Sequence, residues 1–313
     1  YNRARYLSWA LESVCPQVVG REDVELIVVD NNSTDDTRRV VEDFKQKYAF
    51  VRYVQEEKQG LSHARNRGWR EARGEYVGYL DDDAKACDGW VSLALEIINK
   101  KSPSIFGGPY YAFYENNKPK WFQDSYGSRE QHEQSGFIQG RPDLSGGNMF
   151  FRKRLLEKTG GFDPAMGMAG NKIAYGEETI LQWHIFKNYP GETFYYHRDL
   201  SILHLVRADK MSLWWRMKQL FVQGRYTTRV KVAMEGQRVT IKRILVNVIV
   251  CIVSFASRLS WRLVFRDRRR HPFIRGYLYG YGLGPISIIG RVYEWVNVKC
   301  QSRKRSQRYA KKR

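Results

Sequence analysis

Short apolar runs alternate with longer amphipathic stretches in the first third of the chain. Three apolar runs predict strands, at VELIVVD (24–30), FVRYVQEE (50–57) and EYVGYL (75–80). The first is almost continuously apolar, as expected of a strand buried on both faces. Stretches with helical periodicity follow the runs at residues 35–48, 61–72 and 89–100. This alternation predicts a parallel sheet joined by right-handed crossovers, with helices on both faces.

Polar residues precede the predicted helices. Ser33 and Thr34 are expected to cap the first helix and Asp88 the third, because their side-chain oxygens can accept hydrogen bonds from free backbone N–H groups. Beyond about residue 104 the pattern becomes mixed, and further strands are predicted within 104–113 and 193–205.

Two of the predicted strands end in acidic residues. Asp30 ends the first, and Asp81, Asp82 and Asp83 follow the third. Ligands of open parallel sheets bind outside the carboxyl ends of the strands. Turn chemistry is an equally good explanation for Asp30, and capping explains at most one residue of the triplet. Three adjacent carboxylates repel one another, and oxygen-rich clusters suit Mg²⁺ or Mn²⁺. The triplet therefore predicts a divalent cation.

Several motifs occur together in one order: YNRARYL, ELIVVDNNSTDDT, GLSHARNRG, GEYVGYLDDDAKACDGW, LSGGNMFFRKRLLEKTGGFDPAMG and GEETIL. In this combination the chain resembles family-two glycosyltransferases of the GT-A fold, over roughly residues 1–230. The resemblance implies an α/β, Rossmann-like architecture with a mostly parallel mixed sheet. The family's first strand is expected to be missing, since the chain opens at Tyr1-Asn2. The chain also departs from the family by Glu177-Glu178, where many relatives have Glu-Asp, and by the absence of the usual Pro after the Asp cluster.

The resemblance assigns a nucleotide site to residues of the first third. It implies that Asp30 binds the base, with Tyr1 and Asn2 lining the same pocket. It implies that Arg65 faces the nucleotide and its phosphates, as an Arg fork can grip phosphate oxygens, and that Asp81 lies near the ribose. A solvated helix face or an ion pair within the domain is the alternative for Arg65.

The resemblance also assigns the metal ligands. Asp83 is the better ligand and Asp81 the second, with Asp82 given no role. His204, in SILHLV, matches a metal or diphosphate contact of some relatives, and a neutral imidazole suits Mn²⁺ better than Mg²⁺. A core histidine between two leucines is the alternative. Divalent Mn or Mg is the expected cofactor.

The resemblance makes Glu178 the candidate base, because the second acid of this motif in relatives deprotonates the acceptor hydroxyl in a single inverting displacement. Glu177 is assigned to the acceptor and donor-sugar region, although an acid in the first turn of a helix also suits the helix dipole. Gly146 and Gly147 are expected to pass beneath the sugar, where a Cβ would obstruct, with a plain turn as the alternative. The Gly-rich segment 161–176 is expected to be a flexible acceptor loop.

The basic charge lies in the last third. Residues 201–313 hold 26 basic and 4 acidic side chains, a net charge of +22, whereas the first 200 residues hold 27 and 29. The apolar run 244–255 is too short to span a bilayer, for which about 20 residues are needed. It predicts an interfacial helix on an anionic membrane or, equally, a core helix with a basic solvent face. The tail 301–313 is predicted to be disordered.

These features predict a GT-A domain over 1–230, with a nucleotide-binding half (1–103) and an acceptor half (104–230). A helical, membrane-associated region is predicted over 231–300. The four cysteines form no Cys-x-x-Cys pair, which favours a reducing compartment. The protein is accordingly expected at the cytoplasmic face of a membrane or in the cytoplasm.

The expected partners are a nucleotide-sugar donor and a glycan or lipid-linked acceptor, and no nucleic acid. Two other function classes stay open. A nucleotidyltransferase would share the nucleotide-binding sheet, and a nucleic-acid-binding protein would explain the basic third. Neither explains the ordered acidic motifs.

Overall fold

The computed structural model describes residues 1–169, 174–235, 240–261 and 264–310. The chain forms two compact units. The first comprises Tyr1–Glu115, Gly127–Lys172 and Gly176–Val206, and the second comprises Asn116–Tyr126, Ile173–Tyr175 and Arg207–Arg313. The first unit therefore ends at Val206, whereas the sequence suggested a catalytic domain that continues to residue 230.

The first unit alternates strands and helices as the sequence pattern predicts. Its helices are α1 (Ala4–Val18), α2 (Thr37–Lys47), α3 (Leu61–Glu71), α4 (Trp90–Lys101), α5 (Lys153–Thr159) and α6 (Glu177–Asn188). Its strands are β1 (Leu26–Asp30), β2 (Val51–Gln55), β3 (Tyr76–Leu80), β4 (Ala84–Ala86), β5 (Ile105–Gly107), β6 (Tyr110–Phe113), β7 (Gly136–Phe137), β8 (Asn148–Arg152), β9 (Phe194–Tyr196) and β10 (Ile202–Leu205).

The strands form three sheets among the described residues. β1 and β2 pair in parallel, with Asp30 opposite Gln55. A five-stranded sheet has the order β3-β8-β5-β9-β7, and a three-stranded sheet has the order β4-β10-β6. The β1–β2, β5–β9 and β6–β10 pairs are parallel and the other four are antiparallel. The α/β architecture is confirmed, with more antiparallel pairing than the sequence suggested.

Aromatic packing holds the five-stranded sheet against α4. The rings of Phe106 and Phe150 stack with centroids 4.5 Å apart, and Trp90 of α4 lies 4.9 Å from Phe150. Gly78 lies opposite Phe150 in the β3–β8 register, and a Cβ there would meet the ring at 2.4 Å. The close approach of β3 to this ring therefore requires glycine.

The predicted helix caps are wrong. Helix α2 begins only at Thr37, whose backbone N–H donates to Asp35 Oδ1 at 3.1 Å. Ser33 and Thr34 instead hydrogen-bond to Asn2, because the turn after β1 is closed by the start of the chain. Asp88 makes no cap for α4, which is entered from Gly89 in a left-handed conformation with φ 75°. Backbone conformation, which a sequence pattern does not show, decides these helix starts.

The second unit is helical. Its helices are α7 (Leu213–Glu235), α8 (Ile241–Ala256), α9 (Ile274–Tyr277) and α10 (Ile286–Ala310). Helices α7 and α10 pack so closely that a Cβ at Gly224 would lie 1.8 Å from the Ser287 carbonyl oxygen. Buried Glu294 of α10 accepts hydrogen bonds from Arg225 and Arg229 of α7, at 2.7 Å each. No helix among the described residues is both long enough and apolar enough to cross a membrane.

The predicted disorder of residues 301–313 is at variance with α10, which continues to Ala310. Lys, Arg and Gln are good helix formers and can extend a helix whose earlier turns are packed. Residues 311–313 lie outside the described part of the chain.

Candidate active site

Strand pairing brings the acidic triplet to His204. The triplet follows β3 and precedes β4, and His204 lies in β10, opposite Ala84 in the antiparallel β4–β10 pair. The Asp83 carbonyl accepts the Leu205 N–H at 2.9 Å, which fixes the backbone at this point. The His204 Nε2 atom lies 3.4 Å from Asp83 Oδ1. The residues predicted as metal ligands are therefore brought together, and His204 is not a core histidine.

The geometry of this cluster fits a divalent cation. Asp81, Asp83 and His204 each offer one ligand atom, and these atoms lie within 4.8 Å of one another. Two carboxylate oxygens and one imidazole nitrogen suit Mn²⁺. Among the described residues, this is the one cluster of three or more acidic, His or Cys side chains that could hold a metal ion.

Asp82 does not belong to the ligand cluster. Its Oδ1 lies 3.9 Å from Arg3 Nε. Burial raises the pKa of Asp82 to about 6, the charge of Asp83 adds to the rise, and Arg3 opposes it. Since 38% of the Asp82 side chain is exposed, water screens part of this effect. Asp82 is thus held by the N-terminal segment and its carboxylate is separate from the metal ligands.

Arg65 links the metal cluster to helix α6. It lies on α3 with a side chain only 6% exposed, its Nη1 is 2.5 Å from Glu177 Oε1, and its Nη2 is 3.5 Å from Asp81 Oδ1. The Phe162 ring lies beneath the guanidinium, 5.5 Å from Arg65 Cζ. The guanidinium is therefore paired within the unit, which is the ion-pair alternative, and its predicted contact with phosphate stays a prediction.

The two adjacent glutamates at the start of α6 have different environments. The helix follows Gly176, whose φ of 103° allows the sharp entry. Glu177 is buried and paired with Arg65. The Glu178 Oε2 atom is also buried, and it finds no hydrogen-bond partner in the part of the chain that the structure describes. A side-chain hydrogen bond links the Glu178 carboxyl to Glu177, and Glu177 is in addition paired with Arg65.

The Glu178 carboxyl has a raised proton affinity. Burial raises the pKa of Glu178 to about 8, the neighbouring charge of Glu177 adds to the rise, and Arg65 opposes it. A carboxyl group with a pKa near neutrality is suited to take up and release a proton.

Gly146 and Gly147 form the wall of the same site. A Cβ at Gly146 would lie 2.8 Å from Arg65 Nη2, and one at Gly147 would lie 2.3 Å from Asp81 Oδ2. The backbone therefore passes directly against both charged side chains, and only glycine leaves room for them.

Asp30, Tyr1 and Asn2 lie around the end of β1. Buried Asp30 accepts a hydrogen bond from the Tyr53 hydroxyl at 2.8 Å and another from the Ser33 N–H at 3.0 Å. Asn2 binds the following turn, and Tyr1 is 41% exposed. Both Asp30 oxygens thus hold local structure, and the base-binding roles of these residues stay predictions.

The Gly-rich segment expected to be a flexible acceptor loop is attached to α3 where it is described. The Met168 carbonyl accepts the Leu61 N–H at 2.7 Å, and the Met166 carbonyl accepts the Ser62 hydroxyl at 2.8 Å. Residues 170–173 of this segment lie outside the described part of the chain.

Two residues near the site were missed by sequence reasoning. The Tyr110 ring lies 5.5 Å from the His204 ring, so it borders the metal cluster. Fully buried Asn148 donates to the carbonyls of Pro109 and Leu200 and accepts from the Trp90 indole at 2.9 Å. The NM step in SGGNMFF is an ordinary strand start, and no local signal marks an amide that joins three distant segments.

The N-terminal half of the chain matches a family model. The model described as glycosyl transferase family 2 matches residues 1–160. The glucosyl-dolichyl phosphate glucuronosyltransferase of Haloferax volcanii is 25% identical over 236 residues, which are 74% of either chain. The GalNAc(5)-diNAcBac-PP-undecaprenol beta-1,3-glucosyltransferase of Campylobacter jejuni is 29% identical over 218 residues, which are 68% of this chain and 65% of that relative.

Solved structures with the same fold include two glycosyltransferases. The mannosyltransferase PcManGT from Pyrobaculum calidifontis, in complex with GDP-Man and Mn²⁺, aligns with a TM-score of 0.53 at 18% identity and covers 93% of this chain and 71% of its own. S. aureus TarS in complex with UDP-GlcNAc aligns with a TM-score of 0.54 at 16% identity and covers 97% and 89%. At these identities the likeness concerns the fold.

Proposed function

Because the chain belongs to glycosyl transferase family 2, we propose that it moves a sugar from a nucleotide-sugar donor to a glycan or lipid-linked acceptor by a metal-assisted inverting displacement. One observation carries the proposal. A cluster of two carboxylates and an imidazole is joined through Arg65 to the start of α6, where Glu178 has its pKa raised to about 8. Cation ligands and a proton acceptor thus belong to one connected set of charges.

The cation would be held by Asp81, Asp83 and His204. When bound, it would supply positive charge to the diphosphate that departs as the sugar bond breaks. Mn²⁺ is favoured over Mg²⁺ by the imidazole nitrogen in the ligand set. The presence of Mn²⁺ in the complex of PcManGT supports this choice.

Glu178 would act as the general base. Its carboxylate takes the proton from the acceptor hydroxyl as that oxygen attacks the anomeric carbon from the face opposite the diphosphate. Attack from that face inverts the anomeric configuration. The burial of the Glu178 carboxyl supports this role, because desolvation disfavours the charged form and makes the carboxylate a stronger base.

Arg65 and Glu177 would position the site without taking the proton. The 2.5 Å contact between them holds the Glu177 carboxylate in an ion pair, and the remaining Arg65 contact, 3.5 Å from Asp81, orients the Asp81 carboxylate. Removal of Glu177 should therefore reduce activity less than removal of Glu178.

The donor and acceptor are proposed from two curated relatives and two solved structures of the same fold. GDP-Man and UDP-GlcNAc occupy the two structures of the same fold, so a nucleotide sugar is the donor class. Dolichyl phosphate and undecaprenol occur in the names of the two curated relatives. A lipid-linked acceptor would place the reaction at a membrane surface, on its cytoplasmic face, in the assembly of a polysaccharide or glycan.

A screen of nucleotide sugars tests the proposal. The purified chain is incubated with each sugar nucleotide and Mn²⁺, and release of nucleoside diphosphate is measured. Release with one donor, abolished by EDTA and by Asp83→Ala, supports a glycosyltransferase. Release of pyrophosphate from a nucleoside triphosphate and a sugar phosphate, without nucleoside diphosphate, would identify a nucleotidyltransferase instead.

A further inference from the structure

Helix α8 has its polar and apolar sides reversed relative to a usual surface helix, with the polar side packed and the apolar side exposed. At about 100° per residue, Asn247, Cys251 and Ser254 lie on one side of it. Cys251 is buried, and its sulfur lies 3.6 Å from the carbonyl oxygen of Pro285, which precedes α10. The small and polar side of α8 therefore packs against the rest of the second unit.

The opposite side of α8 is apolar and exposed. This outer face of α8 consists of large aliphatic residues that keep between 38% and 64% of their surface exposed, namely Leu245, Val246, Val248, Ile249, Val250, Ile252 and Val253. A helix that packs on a protein core and faces water carries its apolar residues on the packed side. A contiguous exposed apolar surface of this kind marks a site of interaction with a protein or a membrane.

Exposed cations accompany the outer face in sequence. They are Lys242, Arg268, Arg269, Arg270 and Arg275. Asp267 is the only acid in the sequence between residues 236 and 293. Two further exposed apolar residues, Val264 and Phe265, keep 65% and 67% of their surface exposed just before the arginine run. Exposed apolar residues and exposed cations in one stretch of the chain match an anionic lipid bilayer, which offers hydrocarbon beneath negative headgroups.

The length of α8 determines how it could meet a bilayer. Its 16 residues extend about 24 Å, which is less than the roughly 30 Å hydrocarbon core. The π-helical segment Ser257–Trp261 continues it, but this segment contains Arg258, and no helix in the described part of the chain is apolar enough over a sufficient length to cross. A helix of this length with one packed side can lie in the plane of the interface but not cross it. We propose that the outer face of α8 is a docking surface for an anionic membrane, with the neighbouring Arg and Lys side chains at the headgroups.

A second copy of this chain is a poorer occupant. It would bring one region of net charge +22 against another, and like charges at close range oppose association. The inference rests on the proposed function, because a lipid-linked acceptor would lie in the membrane to which α8 binds.

Flotation of the full chain with vesicles tests the proposal. Vesicles of phosphatidylcholine alone, and of phosphatidylcholine with phosphatidylglycerol, are compared at low and high NaCl. The chain should float with the anionic vesicles, and part of that binding should persist at high salt because screening removes only the electrostatic share. Combined Arg268→Gln, Arg269→Gln and Arg270→Gln should weaken binding by about fivefold for each charge that lies at the headgroups.

Neutral substitutions isolate the apolar contribution. Ile249→Gln with Ile252→Gln should lower the partition coefficient at least about tenfold without a change of charge. The matched control is Val19→Gln, at an apolar position of the first unit that is 59% exposed, and it should bind as the wild type does. Far-UV circular dichroism establishes that all variants are folded.

Three outcomes would overturn the docking surface. These are no flotation of the wild type with anionic vesicles, equal flotation of the wild type and the Ile249/Ile252 variant, and a dimer in analytical ultracentrifugation that this variant dissociates. Hydrolysis of the donor by water, followed as nucleoside diphosphate release without lipid, is measured in parallel. The variant should retain that hydrolysis, so a failed membrane test and a failed transferase test are distinguishable.

Discussion

Replacing Glu178 by Gln removes the proposed base while keeping the shape of the side chain. The pKa of about 8 sets the expected magnitude. At pH 7 about one molecule in ten would carry the Glu178 carboxylate, and at pH 9 about nine in ten would, so kcat/KM of the wild type should rise about tenfold across this interval. Glu178→Gln should lose this rise and lower kcat about 10²–10⁴-fold, because an amide cannot accept the proton.

The assay follows release of nucleoside diphosphate at saturating Mn²⁺ from pH 6.5 to 9, with the donor identified by the nucleotide-sugar screen. Glu177→Gln serves as the matched control on the same helical turn. It removes the neighbouring negative charge that raises the pKa of Glu178 and leaves the opposing charge of Arg65. The rise in its activity should therefore begin at a lower pH than in the wild type.

Stability supplies a second measurement that needs no substrate. Because the folded pKa of Glu178 lies above its ordinary value of 4.5, its contribution to stability is fully present below about pH 4.5 and is lost as the pH rises to about 8. The Gln variant should thus gain on the wild type with rising pH, by at most about 1.4 kcal/mol per pH unit. A wild-type rate that is flat between pH 7 and 9, or a Gln variant with the wild-type slope, would refute the assignment of the base.

Three further substitutions test the remaining contacts. Asp83→Ala should abolish binding of Mn²⁺ measured by isothermal titration calorimetry while far-UV circular dichroism stays unchanged, and undiminished binding would remove Asp83 from the ligand set. Glu177→Gln should lower the free energy of unfolding in urea by about 3 kcal/mol. This is the lower end for a broken buried ion pair, because Arg65 keeps its contact with Asp81. A loss under about 1 kcal/mol would mean that the pair is not buried in solution. Gly78→Ala should lower the melting temperature by several degrees, since its Cβ would meet a neighbouring ring at 2.4 Å, and an unchanged melting temperature would contradict the close packing of β3.

The positions of the first three strands in the sequence could be predicted, because the spacing of apolar residues along a strand is a local property. The predicted runs at 24–30, 50–57 and 75–80 contain β1, β2 and β3 with ends shifted by two residues or fewer. The same locality explains why the acidic triplet was recognised. Its neighbour His204 was placed by family resemblance alone, because 121 residues separate it from Asp83 and only the β4–β10 pairing brings them together.

The partners of buried charges could not be predicted in the same way. Arg65 was assigned to phosphate, and its contact with Glu177 depends on how α3 and α6 are set against each other. Asn148 likewise satisfies carbonyl groups from two other segments. These contacts depend on distances between elements, which residue type and spacing do not encode.

The two glycines beside Arg65 and Asp81 bear on attempts to change what the enzyme accepts. Positions 146 and 147 have no free volume on the side where a Cβ would stand, since that space is filled by a guanidinium and a carboxylate. Libraries randomised there would return mostly inactive members, whatever sugar is offered. A search for a new donor would do better to vary residues whose side chains point away from Arg65 and Asp81. The two glycines should be left unchanged.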